Sequence, residues 1–498
     1  MSLRQPDRAE PLAALPPSVP GLCPAARRRY LLVAAILASA LGFIDGTVVS
    51  IALPAMRESL GATLSATQWF HNAYLLTLSA LILAGGSLAD RFGTARTFGW
   101  GIAVFMAASL ACAAAPTPGT LIAARAAQGV GAAFMIPGSL ALIARTYPEE
   151  ERGRAIGIWA AASAITTAGG PLLGGALLTA GGPEVWRWLF AVNLPLGAVA
   201  IWLLARNVEA DHVEDAKAPL DIAGAAAATL ALGLFAYGLS LAQPGDGHAA
   251  TASPWPSLIA SVAVFVLFVV IEWRSPAPML PLSLFARADF SAANLATLAL
   301  YAALSGVAFF LPMTLIAGWG LAPIAASVVF LPLTIFVGLF SSRVGQLADT
   351  IGARPLIAGG SLLVGVALML MAAAAPAEAF WLGILPGAIV MGAGMCLVVT
   401  PLSTAVMAAV PATQTGAASG VNNAVSRISG LIAVAALGPV AAAAYFAADG
   451  PESFGTQSAL PEHAAAMSAA FASIALICAL TAFAAAAAAW FGLPARQR

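Results

Sequence analysis

The chain has 498 residues, of which 60% are hydrophobic and 9% charged, and its formal net charge is zero. Soluble globular proteins carry roughly 25% charged residues, so this composition excludes a water-soluble fold. Zero net charge also removes any global field that would draw the chain to nucleic acid or acidic partners.

Apolar runs of about 18–25 residues, bounded by charge, Gly or Pro, recur along the chain. Fourteen are expected, centred near residues 42, 79, 106, 132, 166, 196, 231, 265, 303, 332, 364, 394, 431 and 478. The first opens as "RRRYLLVAAILASA" (27–40), which has the pattern of a signal peptide. Its apolar run continues to about Met56, however, so it is expected to be a transmembrane helix. Alanine-rich helices with small-residue faces pack closely in lipid, which predicts an all-α integral membrane protein. The four cysteines, at 23, 112, 396 and 478, are far apart and form no CxxC pattern. Neither a disulfide framework nor a metal site is expected.

Arginines set the expected orientation. With the N-terminus inside, eighteen basic residues fall in cytoplasmic segments and only Arg57 and Arg187 in outer loops. That bias predicts an even number of spans with both termini cytoplasmic. "GSLADRFGTAR" (86–96) closes the second span and "GQLADTIGAR" (345–354) closes the tenth. Two copies eight spans apart predict a duplicated six-helix unit. The expected organisation is a cytoplasmic tail (1–29), a six-helix bundle (30–206), a cytoplasmic linker (207–220) and two inserted helices (221–274). A second six-helix bundle (275–492) and a short tail (493–498) follow.

The first span, "LASALGFIDGTVVSIALPAM" (37–56), contains a lone aspartate. Asp45 lies nine residues from Pro54, ~13 Å from the outer end at 1.5 Å per residue. Burying a carboxylate in lipid costs several kcal/mol, so such a residue faces a cavity or is satisfied by helix partners. Arg125 lies about seven residues into the fourth span, ~10 Å deep, which makes a charge pair possible. His71, in "QWFHNAY", sits near the outer end of span 2, either joining this pair or lying at the membrane surface. Most tryptophans, among them Trp69, Trp186 and Trp188, fall near expected interfaces as an aromatic belt. No GxxxxGK[ST] loop, paired-carboxylate cluster or ring of repeated charges appears, which argues against a pump driven by ATP, an enzyme or a channel.

Six strings in order resemble the major facilitator superfamily, in its fourteen-helix drug:proton antiporter (DHA2-type) branch. "DGTVVSIALP" (45–54) is similar to the first-helix motif, with Ser50 where asparagine is usual. "GSLADRFGTAR" resembles the loop 2–3 signature, although Thr94-Ala95 replace its basic pair. "RAAQGVGAAFMIPGS" (125–139) and "AGGPLLGG" (168–175) resemble the fourth- and fifth-helix motifs. "WRWLFAVNLPLG" (186–197) and "GAASGVNNAVSRISG" (416–430) are also typical.

The resemblance implies a major facilitator fold, two six-helix bundles plus two inserted helices, and an exporter of hydrophobic or amphipathic small molecules driven by inward proton flow. It needs no cofactor beyond the proton gradient and is expected to act as a multi-pass monomer in the cell (inner) membrane. The sequence leaves open an adaptor protein. A facilitator or importer of a small metabolite or lipid-like molecule on the same fold is the alternative. Asp45 and Arg125 are the implied proton-coupling pair, and His71, Asn72, Gln128, Phe309, Phe310 and Met313 are candidates for the substrate cavity. Conformational roles are expected for Gly86, Asp90, Arg91, Gly93, Arg96, Gly169, Gly170, Pro171, Gly174, Gly175 and Asp349. Asp90 and Asp349 are expected to meet helix N-termini or Arg91, Arg96 or Arg354, and Asp90→Asn to impair turnover more than binding.

Overall fold

The computed structural model describes residues 23–208, 221–243, 253–411 and 414–495. Most of the expected linker and of the expected tails lies outside the described residues, as does the side chain of Asp90.

Every long element among the described residues is an α-helix. The first group is α1 (Arg28–Leu60), α2 (Leu64–Phe92), α3 (Thr94–Ala113), α4 (Pro118–Thr146), α5 (Glu149–Gly181), α6 (Trp186–Ala191) and α7 (Asn193–Asn207). Two helices follow, α8 (Ile222–Leu241) and α9 (Trp255–Arg274). The last group is α10 (Ala288–Met313), α11 (Pro323–Ser327), α12 (Leu331–Ile351), α13 (Ala353–Ala374), α14 (Leu385–Ala408), α15 (Thr415–Ala447) and α16 (Pro461–Gly492). Short α6 and α11 run into α7 and α12, so each pair makes one crossing. Thirteen of the resulting segments are long and apolar enough to cross a membrane. The 29-residue α2 has the length of a fourteenth, and all fourteen expected centres fall inside these segments.

The two G-x-L-A-D strings end at matching corners. Gly93 between α2 and α3 has φ 94° and ψ 140°, and Gly352 between α12 and α13 has φ 89° and ψ 159°. Only glycine enters that backbone region without strain, which explains the shared glycine of both strings. The two copies differ in charge contacts. Asp349 is exposed and makes no ion pair among the described residues, which corrects its expected pairing with Arg354. The Arg354 guanidinium lies instead 4.5 Å over the Trp490 ring of α16.

Small residues set the helix spacing. A Cβ on Gly101 of α3 would sit 2.9 Å from the Gly131 carbonyl oxygen of α4. The equivalent pair in the last group is Gly360 of α13 and Gly394 of α14, where the approach is 2.5 Å. Backbones this close give the dispersion contact that drives association in lipid. The aromatic belt also needs one correction. Trp186 is fully buried and packs edge-on against Phe190 at 6.1 Å, on the inward face of α6, whereas Trp188 of the same helix is exposed.

The first and last groups meet along α2 with α15, α5 with α11, and α1 with α10. The α2–α15 contact runs as deep as Leu83 from Gln68 at the end of the bundle where α1 stops and α2 starts, called here the far end. There Arg57 donates to the Phe454 carbonyl, and the Ile324 amide donates to Thr179 Oγ1 at 3.0 Å. Towards the other end, a Cβ on Gly153, Gly157 or Gly169 of α5, or on Gly338 of α12, would meet nothing within 4 Å. The α8–α9 pair lies beside the seam, with α8 touching both α2 and α15.

Candidate functional site

The lone carboxylate of α1 is engaged on both oxygens. Asp45 is 1% exposed, and its Oδ2 accepts from Arg125 Nη1 of α4 at 2.5 Å. Its Oδ1 accepts from Gln128 Nε2 at 2.9 Å. Gln128 stands one turn after Arg125 on α4, and its Oε1 accepts from Arg125 Nη1 at 2.6 Å. The guanidinium is fixed a third way, with Nε donating to the Phe70 carbonyl of α2 at 2.8 Å. Its Cζ lies 4.4 Å over the Tyr74 ring and 5.7 Å from that of Phe190. Arg125 Nη2 is buried with no hydrogen-bond partner among the described residues.

The network extends through residues whose part is invisible in the chain order. Gln128 Nε2 also reaches Ser109 Oγ of α3 at 2.9 Å, and Asn193 Nδ2 of α7 donates to the same oxygen at 3.2 Å. Four helices of the first group thus converge on one carboxylate. An ion pair this deep is held by hydrogen bonds that offset desolvation, and removing one partner strands a buried charge. Protonating Asp45 removes a negative acceptor from Arg125 and so changes what the guanidinium can hold. That is the chemistry of a charge switch.

The other candidates divide. His71, 9% exposed, packs its ring 5.8 Å from that of Phe309 across the seam between α2 and α10. Its Nδ1 and Asn72 Oδ1 are buried without hydrogen-bond partners among the described residues. Phe309 and Phe310 stack at 4.8 Å, but Phe310 turns to Phe454 at 5.8 Å. Met313 packs its methyl against Gly455. Phe310 and Met313 therefore sit beneath the far-end segment between α15 and α16, apart from the Asp45 cluster. In α5, Gly170, Gly174 and Gly175 face Thr47, Val48 and Pro323 respectively, while Gly169 faces open space, as does Gly86 in α2. Pro171 lies inside α5, and Arg91 lies over the Phe92 ring at 5.5 Å. Arg96 lies at the start of α3.

Besides Arg125, one basic residue falls outside both sets of the sequence analysis. Arg427 lies within α15, half-buried, and interacts electrostatically with His71, Tyr74 and Tyr301. Its signal is a lone arginine between apolar stretches in "NNAVSRISG".

The chain matches the family model described as Major Facilitator Superfamily over residues 35–434. Multidrug resistance protein Stp of Mycobacterium tuberculosis is 35% identical over 420 residues, which cover 82% of this chain and 75% of that protein. The methylenomycin A resistance protein of Streptomyces coelicolor is 33% identical over 413 residues, or 81% of this chain and 85% of that one. The xylose transporter XylE from E. coli, in an inward-open conformation, shares the fold at TM-score 0.62 and 14% identity, covering 94% of this chain and 96% of that one. With its membrane-length helices and its match to the family model, this multi-pass membrane protein belongs to the Major Facilitator Superfamily, whose members are transporters and not enzymes.

Proposed function

We propose that the protein is a proton-coupled exporter of hydrophobic or amphipathic small molecules, working by alternating access in the cell membrane. The observation that carries this is the buried Asp45–Arg125 pair, a protonatable group among helices of the first group, two of which, α1 and α2, also touch the other group. Relatives named for multidrug and methylenomycin resistance support a drug-like cargo. The arginine bias supports a cytoplasmic position for both termini, which makes the far end the outer one.

With that orientation, Asp45 takes a proton from outside when the seam opens outward. The neutral acid releases Arg125, the bundles rock about the seam, and Asp45 gives the proton to the cytoplasm. Substrate that competes for the freed site leaves in exchange. A ligand shifts such an equilibrium only by binding one state better than the other, and the proton does so through this pair.

The test is proton movement in proteoliposomes that hold the purified protein, a trapped pH dye and an imposed pH gradient, with lipophilic drugs added to wild type and Asp45→Asn. Drug-triggered proton flux in wild type that disappears in the variant is expected. Flux that persists in the variant rejects Asp45 as the coupling group, and drug movement without proton flux in either protein rejects antiport.

A further inference from the structure

Arg427 stands 12 residues from the start of α15 and 20 from its end, so it lies ~18 Å from the nearer helix terminus. Gly430, one turn further along α15, packs against Leu75 of α2 and Ser305 of α10, which puts this face of α15 at the seam between the helix groups. The charge of Arg427 acts on His71 and Tyr74 of α2 and Tyr301 of α10. It makes no ion pair among the described residues, and its Nε is buried with no hydrogen-bond partner. Asp45 pairs with Arg125 and makes no ion pair with Arg427 among the described residues.

Asp45 and Arg125 cancel, so Arg427 leaves this region with an uncompensated positive charge. An ionised side chain inside a membrane is costly and normally finds a partner. Two further unpartnered polar atoms lie nearby on α4 and α2, Arg125 Nη2 and His71 Nδ1, on side chains that are 1% and 9% exposed. Beside them stands the Phe309 ring of α10, packed on His71, with Tyr301 about two turns earlier on the same helix.

We propose that Arg427 is a specificity-determining residue that makes amphipathic organic anions, with one carboxylate or similar acid group on an apolar scaffold, the favoured substrates. The proposal rests on taking the seam as the transport site, as above. The acid group bonds to the guanidinium, whose planar donors match a carboxylate, and the scaffold lies against the aromatic rings. An organic cation of the same shape meets like charge at Arg427 and is disfavoured, which is selectivity by repulsion as much as attraction.

Three fluorescent probes with one scaffold test this: pyrenebutyrate, its uncharged amide, and pyrenebutylamine. Binding is measured to the full chain in nanodiscs, for wild type, Arg427→Gln and Arg427→Lys, against empty nanodiscs. Wild type is expected to bind the anion about tenfold more tightly than the amide, the value of one charge-assisted hydrogen bond. Arg427→Gln is expected to lose that preference without changing amide binding, and Arg427→Lys to keep part of it.

Absent anion binding, equal binding of anion and amide by wild type, or an anion preference that survives in Arg427→Gln, overturns the proposal. So does an equal loss for all three probes, which marks a packing role. Proton flux in proteoliposomes is read separately. Arg427-dependent anion selectivity without flux keeps this inference and rejects antiport, whereas flux without such selectivity does the reverse.

Discussion

Gln128 donates to Asp45 Oδ1 at 2.9 Å while its own Oε1 accepts from Arg125 Nη1 at 2.6 Å, so one side-chain amide closes a ring around the ion pair. Gln128→Ala leaves the Asp45–Arg125 contact but strips one carboxylate oxygen of its donor and cuts the bridge to Ser109. Hydrogen bonds to charged groups contribute about 1.5–3 kcal/mol, so drug-driven proton flux is expected to fall roughly ten- to hundredfold. Arg125→Lys is expected to do at least as much damage, because an ammonium lacks the planar donors that reach Asp45, Gln128 and Phe70 together. Flux within about twofold of wild type in Gln128→Ala would show that the ring is incidental to coupling.

The glycines of "AGGPLLGG" are not equivalent. A Cβ on Gly175 would lie 2.7 Å from the Pro323 carbonyl oxygen and 2.9 Å from Ile324 Cα, both backbone atoms that cannot swing aside. A Cβ on Gly169 would meet nothing within 4 Å. Gly175→Ala is therefore expected to push α5 off α11 and open the far end, at an overpacking cost of about 1–3 kcal/mol. Gly169→Ala should leave both transport and the far-end contact as in wild type. A cysteine introduced at Ser59 reports this by its labelling rate, and the four native cysteines are all buried. Equal labelling rates in the two variants would remove the distinction.

How far the chain could be read follows from what each residue signals on its own. The spans were legible because about twenty consecutive apolar residues are needed to cross a bilayer. Asp45 stood out as a charge without neighbours, and similar depth from the helix ends together with the family resemblance pointed to Arg125. Ser109 and Asn193 carried no such mark, since a serine or asparagine in an apolar helix joins a network only once α3 and α7 are packed. Arg427 escaped because orientation was counted from loop arginines, and it belongs to no loop. Apolar type alone did not separate Phe309, which reaches His71, from Phe310 and Met313, which lie against Phe454 and Gly455.

Arg57 ties the end of α1 to the segment between α15 and α16. Its Nη1 donates to the Phe454 carbonyl, its Nη2 to Ser453 Oγ at 2.9 Å, and its Nε to the Ala62 carbonyl at 3.2 Å. The residue is 5% exposed, so these bonds are screened little by solvent. Arg57→Ala is expected to speed amide hydrogen exchange across residues 449–460, since the segment loses its attachment to the first helix group. The Asp45 cluster should exchange as before, because the hydrogen bonds that hold Asp45, Arg125 and Gln128 go to Phe70, Ser109 and one another. Unchanged exchange in 449–460 would show that the segment is held by its packing and by its bonds to Tyr445 and Met467 without Arg57.

The inserted pair joins the same closed end through a chain of amides. Gln243, just past α8, donates to Gln68 Oε1, and Gln68 Nε2 donates to the Val434 carbonyl of α15. One glutamine of α2 thus holds both the insert and the opposite helix group. The contact needs Gly438, because a Cβ there would sit 2.6 Å from Gln68 Oε1 and 2.7 Å from Gln243 Nε2. Gly438→Ala is therefore expected to reproduce the effect of Gln68→Ala, although it alters no polar group. Both variants should raise the labelling rate at a Ser59 cysteine, whereas Gln243→Ala, which leaves the Gln68–Val434 bond in place, should raise it less. If Gly438→Ala behaved as wild type while Gln68→Ala opened the far end, Gln68 would be acting without the glycine's clearance. If Gln243→Ala had the largest effect, the insert itself and not the α2–α15 bond would hold this end shut.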